Sequence, residues 1–313
     1  MPLYIEPHAG PDPIIQVIRS AHREVSVGVY YLTDRPVLNA LRAAHARGVD
    51  VRVIIEGKPY GMKPWQVAKE ARAIRETGAT LHYAPYRFTS HGDHYAFLHE
   101  KMLCNGHECS VGTANFDWSA LGHKNREYLY VTKKPTVVQA ANAVFNADWY
   151  NQRAPADAHR VLVLSPGTSA AQLIAVISQP GPVSIESEEL GPYAPILDAI
   201  AAKGHLARVL LPASINGEDK RDVAFLESRG VQVRLLPVKP IYLHGKICVG
   251  GREAFLGSEN LSQTSLESNR ELGLLLNGSD IAKLQAQFDQ DWKRAGGGVG
   301  RLVAKAKGWL SRF

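Results

Sequence analysis

The chain has 313 residues, 45% of them hydrophobic and 21% charged, enough to bury a substantial core as two ordinary domains or one large one. No apolar run is long enough to span a bilayer, and the first residues lack the basic and apolar regions of a signal peptide, which favours a cytoplasmic protein and leaves an exported, processed form open. A net charge of +6 tilts the partner toward an anion such as nucleic acid, phospholipid or a phosphate ester, and three cysteines, an odd number, argue against a disulfide framework and for a reducing compartment.

In chain order, EVSVGVYYL (24–32) is a β-rich run. RPVLNALRAAHARG (35–48) has helical spacing, with Leu38, Leu41 and Ala44 on one side and Gly48 as a stop. VDVRVIIEG (49–57) is a second strand, 64–78 a helix, and TLHYAP (80–85) extended. A hairpin pattern follows, FLHEKMLC–NG–HECSVG (97–112), then the strand REYLYVT (126–132) and a helix ending near Tyr150. NQRAPADAHR (151–160) has a linker's composition, dividing an N-terminal lobe, 1–155, from a C-terminal lobe, 156–313.

The second half repeats the order. PVSIESEEL is a strand, APILDAIAAKG a helix, LARVLLP a strand, EDKRDVAFLESRG a helix and VQVRLLP a strand. The hairpin YLHGKICV–GG–REAFLG, the strand RELGLLL and the helix DIAKLQAQFDQDWKRA close it. The expected fold is α/β: two similar mixed-sheet lobes related by a pseudo-twofold axis, working as a monomer. Near such an axis each residue meets its own counterpart.

The repeat carries a sparse polar set. Sixteen residues separate His99 from Asn115 and His244 from Asn260, and Glu127 and Glu271 follow in Asn-Arg-Glu. His99 with Lys101, and His244 with Lys246, share one face of an extended run. Each lysine offers a fixed charge to phosphate oxygens, each asparagine an amide donor, and each glutamate an acceptor that can fix a histidine tautomer. Two histidines in opposite protonation states suffice for phosphodiester exchange, one attacking phosphorus and one protonating the leaving alkoxide. The lysines and asparagines stabilise the phosphoryl oxygens, so no metal or other cofactor is called for. His-x-Lys alone is usually a surface pair and Gly-Ser-x-Asn alone a turn; duplication of the whole set in order favours function. A zinc reading of His91, Asp93, His94, His99, Cys104 and His107 fits no standard spacing and has no second copy, so His91, Asp93, His94 and Tyr95 are assigned to a loop at the site mouth.

At these residues the chain resembles the phospholipase D superfamily of phosphodiesterases, over nearly its whole length and including EVSVGVYYLTD…ALRAAHARGVDVRVII. The resemblance implies a two-lobed α/β sandwich with one site between the lobes, a covalent phosphohistidine and metal-independent turnover. It carries over His99, Lys101, Asn115 and Glu127 from the first copy, and His244, Lys246, Ser258, Asn260 and Glu271 from the second; Thr113 stands where the second copy has Ser258. It favours His99 as nucleophile and His244 as acid and base. Substrate contact is expected of Thr113 and Ser258. The family's aspartate, separated from the lysine by four residues, is missing: Gly106 and Gly251 stand there, with Asn105 and Gly250 the nearest equivalents in a shorter turn. That aspartate reads as a support for the turn.

The expected substrate is a phospholipid, hydrolysed or transferred at its phosphatidyl group. A metal-independent endonuclease on DNA or RNA is the second reading, and a non-catalytic phosphate- or membrane-binding protein the third. The tail 299–313 reads as a basic amphipathic helix, Leu302, Ala306, Trp309, Leu310 and Phe313 against Arg301, Lys305 and Arg312, suited to peripheral membrane contact. Trp65, Tyr83, Tyr86, Phe88 and Tyr95 are candidates for an acyl or head-group pocket, or for core.

Overall fold

A computed structural model describes residues 2–297. The tail 299–313 lies outside them. The described chain forms two compact units, one of 1–169 with 257–259 and 264–274, the other of 170–256 with 260–263 and the residues from 275 onward.

In the first unit the mixed sheet runs, edge to edge, Leu3–Ile5, Tyr128–Thr132, Cys109–Gly112, Lys101–Cys104, Glu24–Val29, Asp50–Ile55, Thr80–Tyr83. The last three are parallel and joined by helices Arg35–Ala46 and Pro64–Arg75; the others are antiparallel. Strands flanked by helices on a parallel sheet are buried on both faces, which is why VSVGV and VRVII are predominantly apolar, broken only by Ser26 and Arg52. Val25, Val27, Val53, Leu103, Ile14, Leu41 and Phe116 form one core. Helix Arg35–Ala46 starts where expected because Asp34 accepts from the Val37 amide at 3.0 Å and Pro36 sits in the first turn. A further antiparallel pair, Val163–Ser165 with Glu271–Leu276, belongs largely to this unit.

The second unit repeats the strand order. Gly296–Gly297, Gln232–Leu236, Ala207–Pro212, Val183–Glu186, Ile247–Val249 and Ala254–Gly257 lie side by side, with 183–186, 207–212 and 232–236 parallel. Asn216 and Asp219 form a capping box at helix Gly217–Ser228. Leu210, Leu236 and Leu243 pack against Phe288 and Trp292 of helix Ser279–Arg294.

Four features depart from the sequence reading. Helix Asp12–Arg19 and helix Ser169–Ile177 were not anticipated. The linker 151–160 ends in a short helix, Ala158–Val161. The run PVSIESEEL is a regular strand only as far as Glu186; beyond it Ser187 N donates to Leu210 O at 3.2 Å and Leu190 makes an isolated bridge to Leu261. Cys104 and Cys109 sit directly opposite across their hairpin and form a disulfide, where the odd count had argued against a framework; Cys248 is buried and free.

Arg270 anchors the returning segment of the first unit. Its Nε donates to Asp148 Oδ2 at 2.7 Å and its second nitrogen to Oδ1 at 3.1 Å, while Arg87 donates to Oδ1 at 2.7 Å. The Asp148 and Arg270 side chains are almost wholly excluded from water, so removing one partner strands charge. Asp148→Ala is expected to cost about 3–5 kcal/mol of unfolding free energy by urea titration; a loss below about 1 kcal/mol would show that the guanidinium groups find water instead.

Candidate active site

His99 and Lys101 lie at the start of the first hairpin. The regular strand begins at Lys101, so His99 stands on the extended residues before it, and His244 likewise precedes the strand Ile247–Val249. The i, i+2 relation holds in both copies in a particular form: the lysine turns back on its own histidine's carbonyl, Lys101 Nζ to His99 O at 2.5 Å and Lys246 Nζ to His244 O at 2.7 Å. Both lysines are 1% exposed. Each is thereby held as a desolvated cation beside its imidazole.

In the first unit the His99 imidazole meets a carboxylate from the returning segment. His99 Nδ1 lies 2.9 Å and 3.0 Å from the two oxygens of Glu271. Glu271 is fully buried and also accepts from Ser265 Oγ at 2.6 Å and Asn269 Nδ2 at 3.0 Å. Burial alone would raise its pKa, but the charge and hydrogen bond of His99, then Lys101 and Ser258, outweigh it and hold the carboxyl below its ordinary value. An ionised Glu271 accepts Nδ1–H, so a neutral His99 carries its lone pair on Nε2. The Tyr30 ring packs edge-on against His99 at 5.0 Å, and Lys101 Nζ lies 5.5 Å from that ring's centre.

Glu127, also fully buried, accepts from Thr113 Oγ1 at 2.5 Å and Asn125 Nδ2 at 3.0 Å. Thr113 Oγ1 accepts the Tyr128 amide at 2.9 Å, and Ser258 Oγ accepts the Leu272 amide at 2.9 Å. Each hydroxyl thus clamps the glutamate of its own copy and the amide that follows it. Thr113 and Ser258 are 0% exposed, so the structure gives them to the glutamates. The asparagine of each Asn-Arg-Glu does the same: Asn125 holds Glu127 and Asn269 holds Glu271. The repeated Asn-Arg was the available signal for this support.

Asn115 is half-buried and its Oδ1 has no partner among the described residues. Asn260 is 6% exposed in the second unit. There His244 Nε2 lies 3.2 Å from Glu188 Oε2, which also accepts Lys246 Nζ at 3.0 Å. Glu188 has no counterpart in the repeated motif, and nothing in the hairpin pattern pointed to it.

The missing aspartate is replaced twice, by different means. Asn105 accepts the amides of His107 and Glu108 at 3.0 Å each and donates to Val17 O and Ser20 Oγ at 2.8 Å. In the second hairpin Gln179 reaches in from the end of helix Ser169–Ile177 and accepts the amides of Arg252 at 2.8 Å and Glu253 at 3.2 Å. A side chain on Gly250 would collide with that Gln179 oxygen. The turn support is kept while the carboxylate is lost.

The loop 89–95 folds on itself. His91 Nδ1 contacts Thr89 O and stacks on Tyr86, and His94 Nε2 contacts Arg87 O. Among the described residues no group of three or more His, Cys, Asp or Glu is arranged to hold a metal. Phe88 is core, under the guanidinium groups of Arg87 and Arg270. Tyr83 and Tyr95, with Tyr60, Met62, Val67 and Phe97, line a largely apolar cleft of about 660 Å³. Phe97 stands edge-on to both Tyr95 and Tyr30, and Tyr30 in turn to His99, so two packed rings stand between this cleft and the imidazole. Trp65 lines a different cleft.

Between His99 and Lys101, Glu100 points to the opposite face and is fully buried, with no hydrogen-bond partner for either oxygen among the described residues. Burial first, and then the charge of Asp148, push it up to about 8. Gly28 is required beside it, because a Cβ there would collide with Glu100 Oε1. The folded pKa lies above the ordinary 4.5, so Glu100's contribution is complete below that value and is lost as pH rises toward 8. The stability of Glu100→Gln relative to the natural chain should therefore grow by up to about 1.4 kcal/mol per pH unit between those limits and then level off; a pH-independent difference in denaturant titrations would refute a protonated Glu100.

Comparison with known proteins places this geometry. A family model described as "Cardiolipin synthase, PLD-like domain" matches residues 14–149 and 188–292. Cardiolipin synthase of Clostridium perfringens is 31% identical over 105 residues, 33% of this chain and 20% of that protein. Cardiolipin synthase A of Pseudomonas aeruginosa is 30% identical over 139 residues, 43% of this chain and 26% of that protein. The chain thus matches only a fifth to a quarter of the length of these relatives. The crystal structure of phosphatidylserine synthase from Haemophilus influenzae Rd KW20 superposes with a TM-score of 0.67 at 12% identity, covering 93% of this chain and 85% of that one. Polyphosphate kinase from Porphyromonas gingivalis gives 0.65 at 15% identity, covering 90% and 48%. At such identities the two structures speak for the fold alone.

Proposed function

The chain belongs to the phospholipase D-like family typified by the cardiolipin synthase domain, and from that premise we propose that it is a phosphodiesterase acting on phospholipids, hydrolysing or transferring a phosphatidyl group. The observation that carries the chemistry is the contact of His99 Nδ1 with the ionised Glu271. It leaves the Nε2 lone pair to attack phosphorus. The P–O bond to the leaving group breaks as the P–N bond forms, and His244, bearing its proton on Nε2, protonates the departing alkoxide. The neutral His244 then takes a proton from water or an acceptor alcohol, whose oxygen attacks the phosphohistidine and releases His99. Lys101, Lys246, Asn115 and Asn260 donate to the phosphoryl oxygens. Glu271 keeps His99 basic; Glu127 is proposed to serve His244 in the same way.

Two observations support a lipid over a nucleic acid. The sequence relatives are cardiolipin synthases. A cleft in the same unit as His99 is mostly apolar, lined by Tyr60, Met62, Val67, Tyr83, Tyr95 and Phe97 beside Lys58, which suits an acyl chain or glyceride better than a polyanion. No helix among the described residues is long and apolar enough to cross a membrane. Contact with a lipid surface through the tail 299–313 remains part of the proposal.

The test uses phosphatidylglycerol and phosphatidylcholine vesicles and single- and double-stranded DNA, each with and without EDTA. Release or transfer of a lipid head group, unaffected by chelator and reduced at least about 10³-fold in His99→Ala, is the expected result. Cleavage of DNA alone would replace the lipid reading with the nuclease one. A covalent adduct trapped by acid quench should map to His99; an adduct on His244 would reverse the two roles.

A further inference from the structure

The two halves differ at one position that faces their histidines. In the first sheet Val29 pairs with Lys101, and in the second Glu186 pairs with Ile247, so Ser187 stands at the level of Lys246. Tyr30 and Glu188 are therefore counterparts, each one residue beyond. The next bridges agree: Leu32 pairs with Phe116, after Asn115, and Leu190 pairs with Leu261, after Asn260. The first half lays an aromatic ring against its His-x-Lys pair; the second lays a carboxylate there.

That carboxylate makes the contacts a phosphate would make. Glu188 Oε2 lies 3.2 Å from His244 Nε2 and 3.0 Å from Lys246 Nζ, and Oε1 accepts from the Tyr242 hydroxyl at 3.1 Å. His244 is 7% exposed and Lys246 1%, so the donors are largely desolvated and their charges weakly screened. The contact also fixes the proton: an Nε2 facing a carboxylate oxygen at this distance carries its hydrogen.

We propose that Glu188 is a built-in competitor for the substrate's oxyanion, seated on the His244–Lys246 donors in the unliganded protein and displaced when a phosphodiester binds. This rests on the reading that those two residues receive a phosphoryl oxygen. A carboxylate retained near the displaced position repels anions in proportion to their charge. A phosphate monoester or inorganic phosphate, largely a dianion at pH 8, meets about twice the repulsion that a phosphodiester monoanion meets. Glu188 is thereby a specificity-determining residue, which selects singly charged diesters over free phosphate. The Tyr30 side has no such filter.

The experiment is calorimetric titration of inorganic phosphate and of dimethyl phosphate into the full chain at pH 8. Glu188→Gln keeps the shape and removes the charge; Glu188→Tyr copies the first half and serves as a second variant should the first fail to fold. Either is expected to tighten binding of inorganic phosphate by at least about tenfold, with a smaller gain for dimethyl phosphate. Adding Lys246→Met should abolish the gain. Unchanged or weaker phosphate binding in folded variants, or an equal gain for both ligands, would overturn the proposal. Because binding rather than turnover is read, absence of lipid activity would count against the proposed function and leave this result to stand by itself.

Discussion

A buried carboxylate holding one imidazole is the constraint on which the first unit is organised. Glu271 is wholly removed from water, and a charge so placed is tolerated only with a full set of donors. Those donors are Ser265, Asn269 and His99 Nδ1, with the Ser258 hydroxyl contributing to its low pKa. Nearby acids are handled in the opposite way. Glu100 is pushed up to about 8, and Glu259, bonded to Ser169 and beside the Glu271 charge, well above its ordinary value. Of these three acids, Glu271, which touches the histidine, is the one held ionised near neutrality.

The same economy recurs in the neutral residues. Thr113 and Ser258 each tie a glutamate to the backbone that follows it, and Asn125 and Asn269 each hold the glutamate two residues on. Thr113, Ser258 and Asn269 are buried and Asn125 is half-buried. They lock the rotamers of the acidic residues, which in turn fix ring orientation.

How much of this was legible in the sequence depends on the kind of information involved. The alternating strands and helices of both halves are written in hydrophobic periodicity, and the strand orders agree with that reading. The duplicated His, Lys, Asn and Glu stood out because the two copies share little else. Three features were not legible. Gln179 supports the second hairpin from about seventy residues away, and no local pattern links it to Arg252. Glu188 lies in the apparent strand PVSIESEEL, and only the end of that strand at Glu186 frees its side chain from alternation. The hydroxyls of Thr113 and Ser258 were given to substrate because a small polar residue before an asparagine suits either role; burial decides between them.

Residues 257–259 and 264–274 pack with the first unit although they follow residues 170–256 of the second unit in the chain. Glu271, Ser265, Asn269 and Arg270 therefore arrive at His99 and Asp148 only after most of the polypeptide has been made. A ribosome-bound chain halted near residue 250 would carry His99 without its acceptor and Asp148 without one of its two guanidinium partners. Assembly of the His99–Glu271 contact waits on the second half of the chain, and a gene split at the midpoint would yield an N-terminal product without that contact until its other half is supplied.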